Sequence, residues 1–529
     1  MSDIDRPDAP LPRFGETFDV IVVGYGFAGA MAAITAADAG ARVLLCEKEA
    51  LPGGISICSG GWFRSAHSAD LAFEYLKATN GGRTPDDVLR VLADGMTGVE
   101  ADVRRLAAAS NATLQASEKG GNYPFPGVDT FYHVNIINVP GSEDLRKTYP
   151  HIMTSPSACG WRMFKVMEDN IAQRTIEVRY EFAAQRLISN DRREILGVWF
   201  TTKDGRRVAI KARRAVVLAC GGFEANDEMK RQYWEKAPVL TATSVSNTGD
   251  GIRMAQDVGA DLWHMWHFHG SYGFKHPNPQ YPVAIRVKRL PDWFPGREQA
   301  VNVRMSWILV DQDGRRYMNE CSPYTQDTSH RPMELFDSVR QVFPRIPSYL
   351  IVDEIGRREY RIGAPTYNQR GHAFKWSDDN LREVELGIID KADTIEEMAR
   401  IVGAESAAMQ ATLERWNENC ARGHDADFGR PPGSMMKVAT PPFYVGKVWP
   451  VVSNTQGGPV HNARQQIMSV FGEPIPRLYA AGELGSAFGY LYLSGANLSE
   501  CLVTGKISGR EAAAKAPWDA TAVPAMSSD

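Results

Sequence analysis

A glycine-rich turn between a predicted strand and a predicted helix constrains the fold of this 529-residue chain more than any other feature. The apolar run Phe18–Val23 (FDVIVV) is typical of a strand that is buried on both faces of a parallel sheet. Gly24, Gly26 and Gly29 follow it in a GxGxxG pattern, and the Ala-rich segment after them predicts a helix that ends at Gly40. This order predicts the start of a Rossmann-type unit.

Glu47 ends the next predicted strand, 23 residues after Gly24 (47 − 24). In such a unit Gly24 makes the tight turn, Gly26 lets the backbone approach a pyrophosphate, and Gly29 lets the helix and the strand pack closely. The helix N-terminus offers unpaired N–H groups and a partial positive charge to the phosphates. The Glu47 carboxylate can accept hydrogen bonds from ribose hydroxyls, so the sequence predicts a dinucleotide site.

Two later segments favour FAD over NAD. Residues 53–61 (GGISICSGG) form a second loop rich in glycines and hydroxyls, which a long dinucleotide such as FAD needs as a second cradle. Residues 481–483 (AGE) follow another predicted strand and place a carboxylate where it can hold the ribitol hydroxyls. Gly54 of the first segment and Gly482 and Glu483 of the second are predicted cofactor contacts.

Composition excludes several classes of protein. The net charge of −4 gives no basis for a nucleic-acid partner, and no apolar run reaches the ~18–20 residues of a membrane span. The acidic, Pro-rich N-terminus lacks the pattern of a signal peptide. Seven scattered cysteines show no zinc-like spacing, so we expect no metal site and a reducing, cytoplasmic location.

The flavin-binding pattern is interrupted by a long segment of different character. That segment is rich in aromatic residues and prolines, and it shows few helical periods apart from residues 394–419. The flavin-binding pattern resumes near residues 456–458 (QGG). The sequence therefore predicts a flexible tail at 1–17, a FAD-binding domain at 18–266 and 454–529, and an inserted domain at 267–453.

Seven motifs between about Phe18 and Arg510 resemble the flavoprotein superfamily of soluble fumarate reductases and 3-ketosteroid dehydrogenases. They are GYGFAG, EKE…GGISICSGG, VVLACGGF, NTGDGIRMA, GRRYMNE, NTQGGP and LYAAGELG. The resemblance implies an α/β fold in which the insert is an α+β cap that closes over the flavin, with the active site between the two domains. It also implies FAD contacts at Lys48, Ser56, Gly60, Gly61, Asp250 and Glu483 and at the backbone near Leu498.

The dicarboxylate-binding side chains of the fumarate reductases are missing from the matching positions. Tyr324 and Tyr492 stand where that family has arginines, and Asn454 and a position near Ser271 stand where it has histidines. Without a bidentate guanidinium clamp, a small dicarboxylate loses its main anchor. Fumarate reduction is therefore disfavoured.

The same positions resemble the 3-ketosteroid dehydrogenases, and the Tyr-x-Ser-Gly form is closest to their Δ4-(5α) type. The resemblance implies that Tyr324 abstracts a substrate proton and that Ser494 relays or orients that proton. It further implies that Tyr492 holds the ketone oxygen together with the backbone N–H of Ala496 or Asn497. Such chemistry needs a base, an oxyanion donor and a hydride acceptor, which would be flavin N5.

The leading hypothesis is a dehydrogenase that introduces a double bond α,β to the ketone of a bulky, 3-ketosteroid-like substrate and passes the electrons to an unknown acceptor. The alternative is an ene-reductase or desaturase for a smaller cyclic ketone or an unsaturated acid. Because the insert contains several arginines, a carboxylate-bearing substrate stays among the alternatives. A flavin-binding protein without activity and an NAD(P)H-dependent monooxygenase are disfavoured, the latter because no second nucleotide fingerprint is present. The arginines are Arg286, Arg289, Arg297, Arg304 and Arg331.

Other aromatic and histidine residues are weaker candidates for the active site. Tyr123 matches another active-site tyrosine of some ketosteroid dehydrogenases, although its surroundings favour a turn residue. The histidines of residues 263–269 (WHMWHFH) lack an accompanying carboxylate or cysteine, which favours core or pocket lining over a metal site. Trp293 and Phe294 are candidates for the cap side of the pocket.

Overall fold

The computed structural model places the sequence-predicted elements in two large sheets and the helices around them. Some residues named in the sequence analysis lie outside the residues that the structure describes. They are the first part of the predicted tail (1–10), the arginines Arg289 and Arg297, and the pocket candidates Trp293 and Phe294. The structure describes residues 11–153, 159–287, 304–321, 324–364, 368–369 and 374–519.

The strands occur along the whole described chain. In chain order they are β1 (Glu16–Val23), β2 (Val43–Cys46), β3 (Phe63–Ala66), β4 (Thr113–Glu118), β5 (Phe131–Asn138), β6 (Ile152–Met153), β7 (Ile176–Arg179), β8 (Ala183–Ser189), β9 (Ile195–Thr201), β10 (Arg207–Leu218), β11 (Leu240–Thr241), β12 (Leu262–Trp263), β13 (Phe268–Phe274), β14 (Ile285–Arg286), β15 (Trp307–Val310), β16 (Ser348–Asp353), β17 (Asn368–Gln369), β18 (Ile389–Ala392), β19 (Phe443–Thr455), β20 (Gly458–Pro459), β21 (Gln466–Met468) and β22 (Pro474–Ala480).

The helices vary from single turns to 19 residues. They are α1 (Phe27–Asp38), α2 (Gly54–Ile57), α3 (Ala69–Asn80), α4 (Asp86–Met96), α5 (Val99–Ala107), α6 (Leu145–Thr148), α7 (Gly160–Ala172), α8 (Asp227–Tyr233), α9 (Asp250–Asp257), α10 (Thr325–Thr328), α11 (Glu354–Glu359), α12 (Leu381–Glu385), α13 (Ile395–Val402), α14 (Ser406–Arg422) and α15 (Ala496–Ala514).

The first sheet is the predicted Rossmann-type core. Its order is β21-β22-β10-β1-β2-β7, with β9 paired to β10 and β8 paired to β9. The central pairs β10–β1 and β1–β2 are parallel, as the continuous apolar run of β1 predicts. Strand β1 begins two residues before the predicted start because Glu16 and Thr17 also pair with β10. These two residues of the predicted tail are therefore part of the sheet.

Helix α1 connects β1 to β2 and packs against the last helix, α15. It ends at Asp38, and Gly40 then adopts a left-handed conformation (φ +81°), which confirms the predicted stop. Gly505 and Gly509 of α15 face the backbone of α1 so closely that a Cβ at Gly509 would lie 2.3 Å from the Ala32 carbonyl oxygen. These glycines let the two helices approach behind the glycine-rich turn.

The second sheet is built mainly from the inserted segment. Its order is β14-β13-β19-β16-β15, and β11 and β18 also pair with β19. Helices α13 and α14 occupy the region where the sequence predicts helical periods. The central strand β19 continues across the predicted boundary at 453/454, and the exact domain boundaries stay predictions. Within the described ranges, none of the helices is both long and apolar enough to cross a membrane.

Candidate active site

A cavity extends from the glycine-rich turn after β1 to side chains of the second sheet. Residues from both predicted groups, those for the cofactor and those for catalysis, line this cavity. The predicted residues on its wall are Gly24, Gly26, Glu47, Lys48, Gly54, Ser56, Gly60, Asp250, Tyr324, Glu483, Tyr492, Ser494 and Leu498.

Three predicted glycines lie behind the cavity wall. A Cβ at Gly29 would lie 1.8 Å from the Gly24 carbonyl oxygen, and one at Gly482 would lie 2.7 Å from the Cβ of Ala28. Gly61 has φ +70°, and a Cβ there would lie 2.4 Å from the carbonyl carbon of Cys159. These residues shape the wall by allowing close packing, as the motif requires of its third glycine.

The N-terminus of α1 is suited to bind a pyrophosphate. Gly26 is its N-cap residue and offers no side-chain cap, so backbone N–H groups of the first turn face the cavity. One of these groups, the Phe27 N–H, donates to Ser56 Oγ at 3.1 Å, which ties the second cradle to the helix. A Cβ at Gly26 would lie 3.0 Å from the same oxygen. Glycine therefore keeps this wall open to a phosphate.

The adenosine end is organised around Glu47. Its carboxylate is fixed by the backbone N–H groups of Tyr25, at 3.1 Å, and of Glu49, at 2.9 Å. Burial raises the pKa of Glu47. Next to it, Lys48 Nζ lies 2.7 Å from Asp250 Oδ2, so two predicted cofactor contacts from distant segments form an ion pair on the cavity wall.

A pair of buried carboxyl groups, of which Glu483 lines the cavity, lies farther along it. Glu483 Oε1 accepts the Thr455 N–H at 2.8 Å, and Asn247 Nδ2 donates to Glu224 Oε1 at 2.8 Å and lies 3.5 Å from Glu483 Oε2. Burial raises the pKa of Glu224 to about 8. Burial and the neighbouring Glu224 raise the pKa of Glu483 well above its ordinary range. Hydroxyl donors such as those of ribitol would stabilise the ionised form of such a pair.

Tyr324 lies at the other end of the cavity, immediately before α10. Its hydroxyl is 3.4 Å from Nε2 of His269, and His269 Nδ1 is 2.9 Å from Asn454 Oδ1. Because this Asn454 oxygen only accepts, Nδ1 carries the proton in the neutral imidazole, and Nε2 is left to accept a hydrogen bond. The antiparallel register of β13 and β19 sets His269 opposite Asn454. The Tyr324 hydroxyl thus has an acceptor for its proton.

Tyr492 approaches the same place from the loop before α15. Its hydroxyl accepts the Gly495 N–H at 3.2 Å, and its ring centroid is 4.1 Å from that of His269. Burial raises the pKa of Tyr492, whereas the backbone amides of Asn497 and Gly495 lower it. Since its oxygen accepts from the backbone, the phenolic proton remains to be donated to a ligand. Of the two backbone N–H groups predicted to hold the ketone oxygen together with Tyr492, those of Ala496 and Asn497, the Ala496 N–H bonds to the Leu493 carbonyl at 2.8 Å.

A family model for the FAD binding domain matches residues 19–498 of the chain. The chain belongs to this FAD-binding family. It is 28% identical to the digoxin reductase of Eggerthella lenta, over 95% of this chain and 88% of the reductase. It is 25% identical to the cytochrome-type fumarate reductase of Shewanella frigidimarina, over 94% and 77% of the two chains.

The fold is similar to that of the 3-ketosteroid Δ1-dehydrogenase from Sterolibacterium denitrificans. The TM-score is 0.78 at 22% identity, and the likeness covers 94% of this chain and 100% of the dehydrogenase. The predicted superfamily, the α/β fold and FAD as the cofactor are therefore confirmed. The cradle at α1, Glu47 and Glu483 fits FAD, and the chain is an FAD-dependent oxidoreductase.

In this flavoprotein the backbone of Ser494 is held on both sides. Its N–H donates to Asn122 Oδ1 at 2.8 Å, and its carbonyl accepts from Arg64 Nε at 2.9 Å. The side chain reaches the cavity wall. The roles assigned to Tyr324, Tyr492 and Ser494 and the individual FAD contacts stay predictions.

Sequence reasoning missed the most informative side chain of the site. It assigned the histidine cluster to core or pocket lining as a group, but the three histidines differ. His264 and His267 lie 2.8 Å and 3.0 Å from backbone carbonyl oxygens of the loop at 486–488, whereas His269 faces the cavity. His264 and His267 precede β13, which begins at Phe268 and is buried at every position, so alternation along the strand does not show which histidine faces the cavity.

Arg286 and Ser453 are further cavity residues outside the predicted catalytic set. Arg286 Nη2 donates to Ser453 Oγ at 2.6 Å, from the edge strand β14 to the end of β19. A guanidinium on the wall suits a carboxylate or another oxygen-rich group. In the described part of the chain, no group of three histidine, cysteine or acidic side chains is arranged to hold a metal ion.

Proposed function

We propose that this flavoprotein transfers two hydrogens across a C–C bond next to a ketone, and that it dehydrogenates a bulky alicyclic substrate of the 3-ketosteroid type. The observation that carries the proposal is the Tyr324–His269–Asn454 chain of contacts facing Tyr492 in the cavity that holds the FAD-binding residues. Bound FAD supplies the hydride acceptor for such a reaction.

The α-hydrogen leaves as a proton to Tyr324. A tyrosine with an ordinary pKa of ~10 is a weak base near neutral pH unless its own proton has somewhere to go. His269 Nε2 provides that acceptor at 3.4 Å, and Asn454 holds the imidazole in the required tautomer. Proton transfer from the substrate to Tyr324 is thus coupled to transfer from Tyr324 to His269.

The developing enolate is stabilised by Tyr492. Its hydroxyl oxygen accepts a hydrogen bond from the Gly495 N–H at the N-terminus of α15. This hydrogen bond polarises the phenol and orients its proton toward the ketone oxygen. The rings of Tyr324 and Tyr492 lie 6.4 Å apart between centroids. These rings and Trp62 give this end of the cavity an aromatic lining that suits fused alicyclic rings.

Two observations favour a second candidate, reduction of an α,β-unsaturated acid or ketone. Arg286 on the cavity wall suits a carboxylate, and the relative that matches over nearly its full length is named a reductase. The same residues would serve, because His269 and Tyr324 would return the proton that they remove in the forward direction. The leading proposal and this candidate differ in the substrate that reacts with the flavin.

Anaerobic flavin reduction distinguishes the two. Oxidised protein is mixed with saturated 3-ketosteroids and simple cyclohexanones, and the dithionite-reduced protein is mixed with unsaturated ketones and unsaturated acids. Bleaching of the flavin band by a saturated ketone, slowed at least ~100-fold in Tyr324→Phe, is expected. Reoxidation by unsaturated acids alone would overturn the leading proposal and support the second candidate.

Tyr479→Phe is the matched control. Tyr479 is a buried tyrosine of β22 whose hydroxyl has no hydrogen-bond partner among the described residues. Removing that hydroxyl therefore leaves no protein group unpaired. Flavin reduction at the wild-type rate in this variant shows that the effect of Tyr324→Phe is specific to the site.

A further inference from the structure

Asp327 is hydrogen-bonded to the backbone of both proposed catalytic tyrosines. It lies three residues after Tyr324 in α10, and its backbone N–H bonds to the Tyr324 carbonyl at 3.1 Å. Its carboxylate oxygen Oδ2 accepts the Tyr492 N–H at 2.9 Å and the Tyr123 O–H at 2.5 Å. The ring of Tyr123 meets that of Tyr324 edge-on at 6.1 Å between centroids. One carboxylate therefore connects three tyrosines.

Burial of the ionised Asp327 carboxylate in this part of the structure is energetically unfavourable. The side chain of Asp327 is fully buried, and its second oxygen, Oδ1, has no hydrogen-bond partner among the described residues. His267 Nε2 lies 4.0 Å away but is itself close to a guanidinium nitrogen of Arg331, at 3.3 Å. Burial lowers the pKa of His267 well below its ordinary value, so the imidazole is neutral and supplies no countercharge.

We propose that Asp327 is a positioning residue whose ionised carboxylate holds the Tyr492 loop and Tyr123 in place against Tyr324, so that its ionisation governs the rate. The inference rests on the proposed function of the two tyrosines. A charged acceptor binds the Tyr492 N–H and the Tyr123 O–H about twice as strongly as a neutral one. Protonation therefore loosens both contacts while the fold is retained.

The Asp327 carboxyl group ionises within the pH range in which enzymes commonly work. Burial raises the pKa of Asp327 to about 6, and the positive charge of Arg331 and the hydrogen bonds from the Tyr123 hydroxyl and the Tyr492 amide lower it. Flavin reduction should therefore slow as the pH falls through about 6. The titratable and charged groups that face Asp327 from the neighbouring elements are Tyr75, Tyr123, His267, Tyr324, Arg331 and Tyr492.

Three variants of the holoenzyme test the inference with whichever compound reacts with the flavin. Asp327→Asn keeps an oxygen acceptor but cannot ionise, so we expect the acidic limb of the pH–rate profile to disappear and the rate above pH 7 to fall about 10-fold. Tyr123→Phe keeps the carboxylate but removes a donor to it, so the limb should move to higher pH. Asp204→Asn, in an exposed hairpin turn, is the control and should keep the wild-type profile.

A second readout does not depend on turnover. Between the ordinary and the raised pKa of Asp327, the folded state binds more protons than the unfolded state, so wild-type stability should fall relative to Asp327→Asn as the pH rises from 4 to 7. An unchanged acidic limb in Asp327→Asn, or a parallel dependence of the two melting temperatures on pH, would overturn the inference. Failure of every ketone to react, with the stability difference present, would overturn the proposed function alone.

Discussion

Removal of the Tyr492 hydroxyl is the sharpest test of the oxyanion site. Tyr492→Phe keeps the ring that packs 4.1 Å from His269 and 5.6 Å from Phe488 between centroids, and removes only the oxygen that accepts the Gly495 N–H. Loss of one preorganised donor to a developing oxyanion costs roughly 100- to 1,000-fold in rate. The limiting rate of flavin reduction should fall by that factor.

The effect on stability should be smaller. The Gly495 N–H loses its acceptor, and an unpaired buried donor costs about 1–3 kcal/mol. The value should lie near the lower limit, because this N–H is at a helix N-terminus beside the cavity, where water can replace the hydroxyl. Helix α15 should otherwise stay intact.

Stopped-flow flavin reduction separates the two quantities that matter. The dependence of the rate on ketone concentration gives a limiting rate and an apparent dissociation constant, and denaturant unfolding gives the stability change. The limiting rate should fall while the dissociation constant changes little, because the hydrogen bond to the oxygen strengthens as charge develops. A wild-type limiting rate in Tyr492→Phe, or a change confined to the dissociation constant, would refute the assignment of Tyr492 as the oxyanion donor.

Two further predictions concern the cofactor end. Gly29→Ala should abolish FAD binding, because its Cβ would lie 1.8 Å from the Gly24 carbonyl oxygen; a purified protein with the full flavin absorbance would contradict this. Glu224→Gln should stabilise the apoprotein above pH 7 by a few kcal/mol but not near pH 4, because the raised pKa of Glu224, about 8, makes wild-type stability fall as the pH rises between about 4.5 and 8. Thermal unfolding of the two apoproteins across this range measures the difference, and equal midpoints at pH 8 would contradict it.

Local patterns were sufficient for much of the molecule. The strand β1, the turn at Gly24 and the helix α1 follow one another within about twenty residues, so apolar runs and glycine positions predict them without knowledge of the rest. The FAD cofactor and the family were predicted in the same way, from short motifs. Tyr324 and Tyr492 were predicted as catalytic residues because each lies in a motif that resembles a known family.

Such local patterns did not predict the contacts between distant segments. His269 meets Asn454 because β13 and β19 pair antiparallel, and β13 is buried at every position, so no alternation in the sequence shows which way His269 faces. Glu224 and Glu483 come from segments that only the packed sheets bring together, around Asn247.

The sequence by itself determined the flavin-binding fold and the residue types at the reaction site, because these are encoded in contiguous stretches. Only the tertiary structure decided which groups act on those residues. It placed His269 against the Tyr324 hydroxyl, Asp327 against the Tyr492 backbone and Arg286 on the cavity wall. The physical reason is that hydrogen bonds and desolvation depend on distances and burial, which strand register and packing set across hundreds of residues.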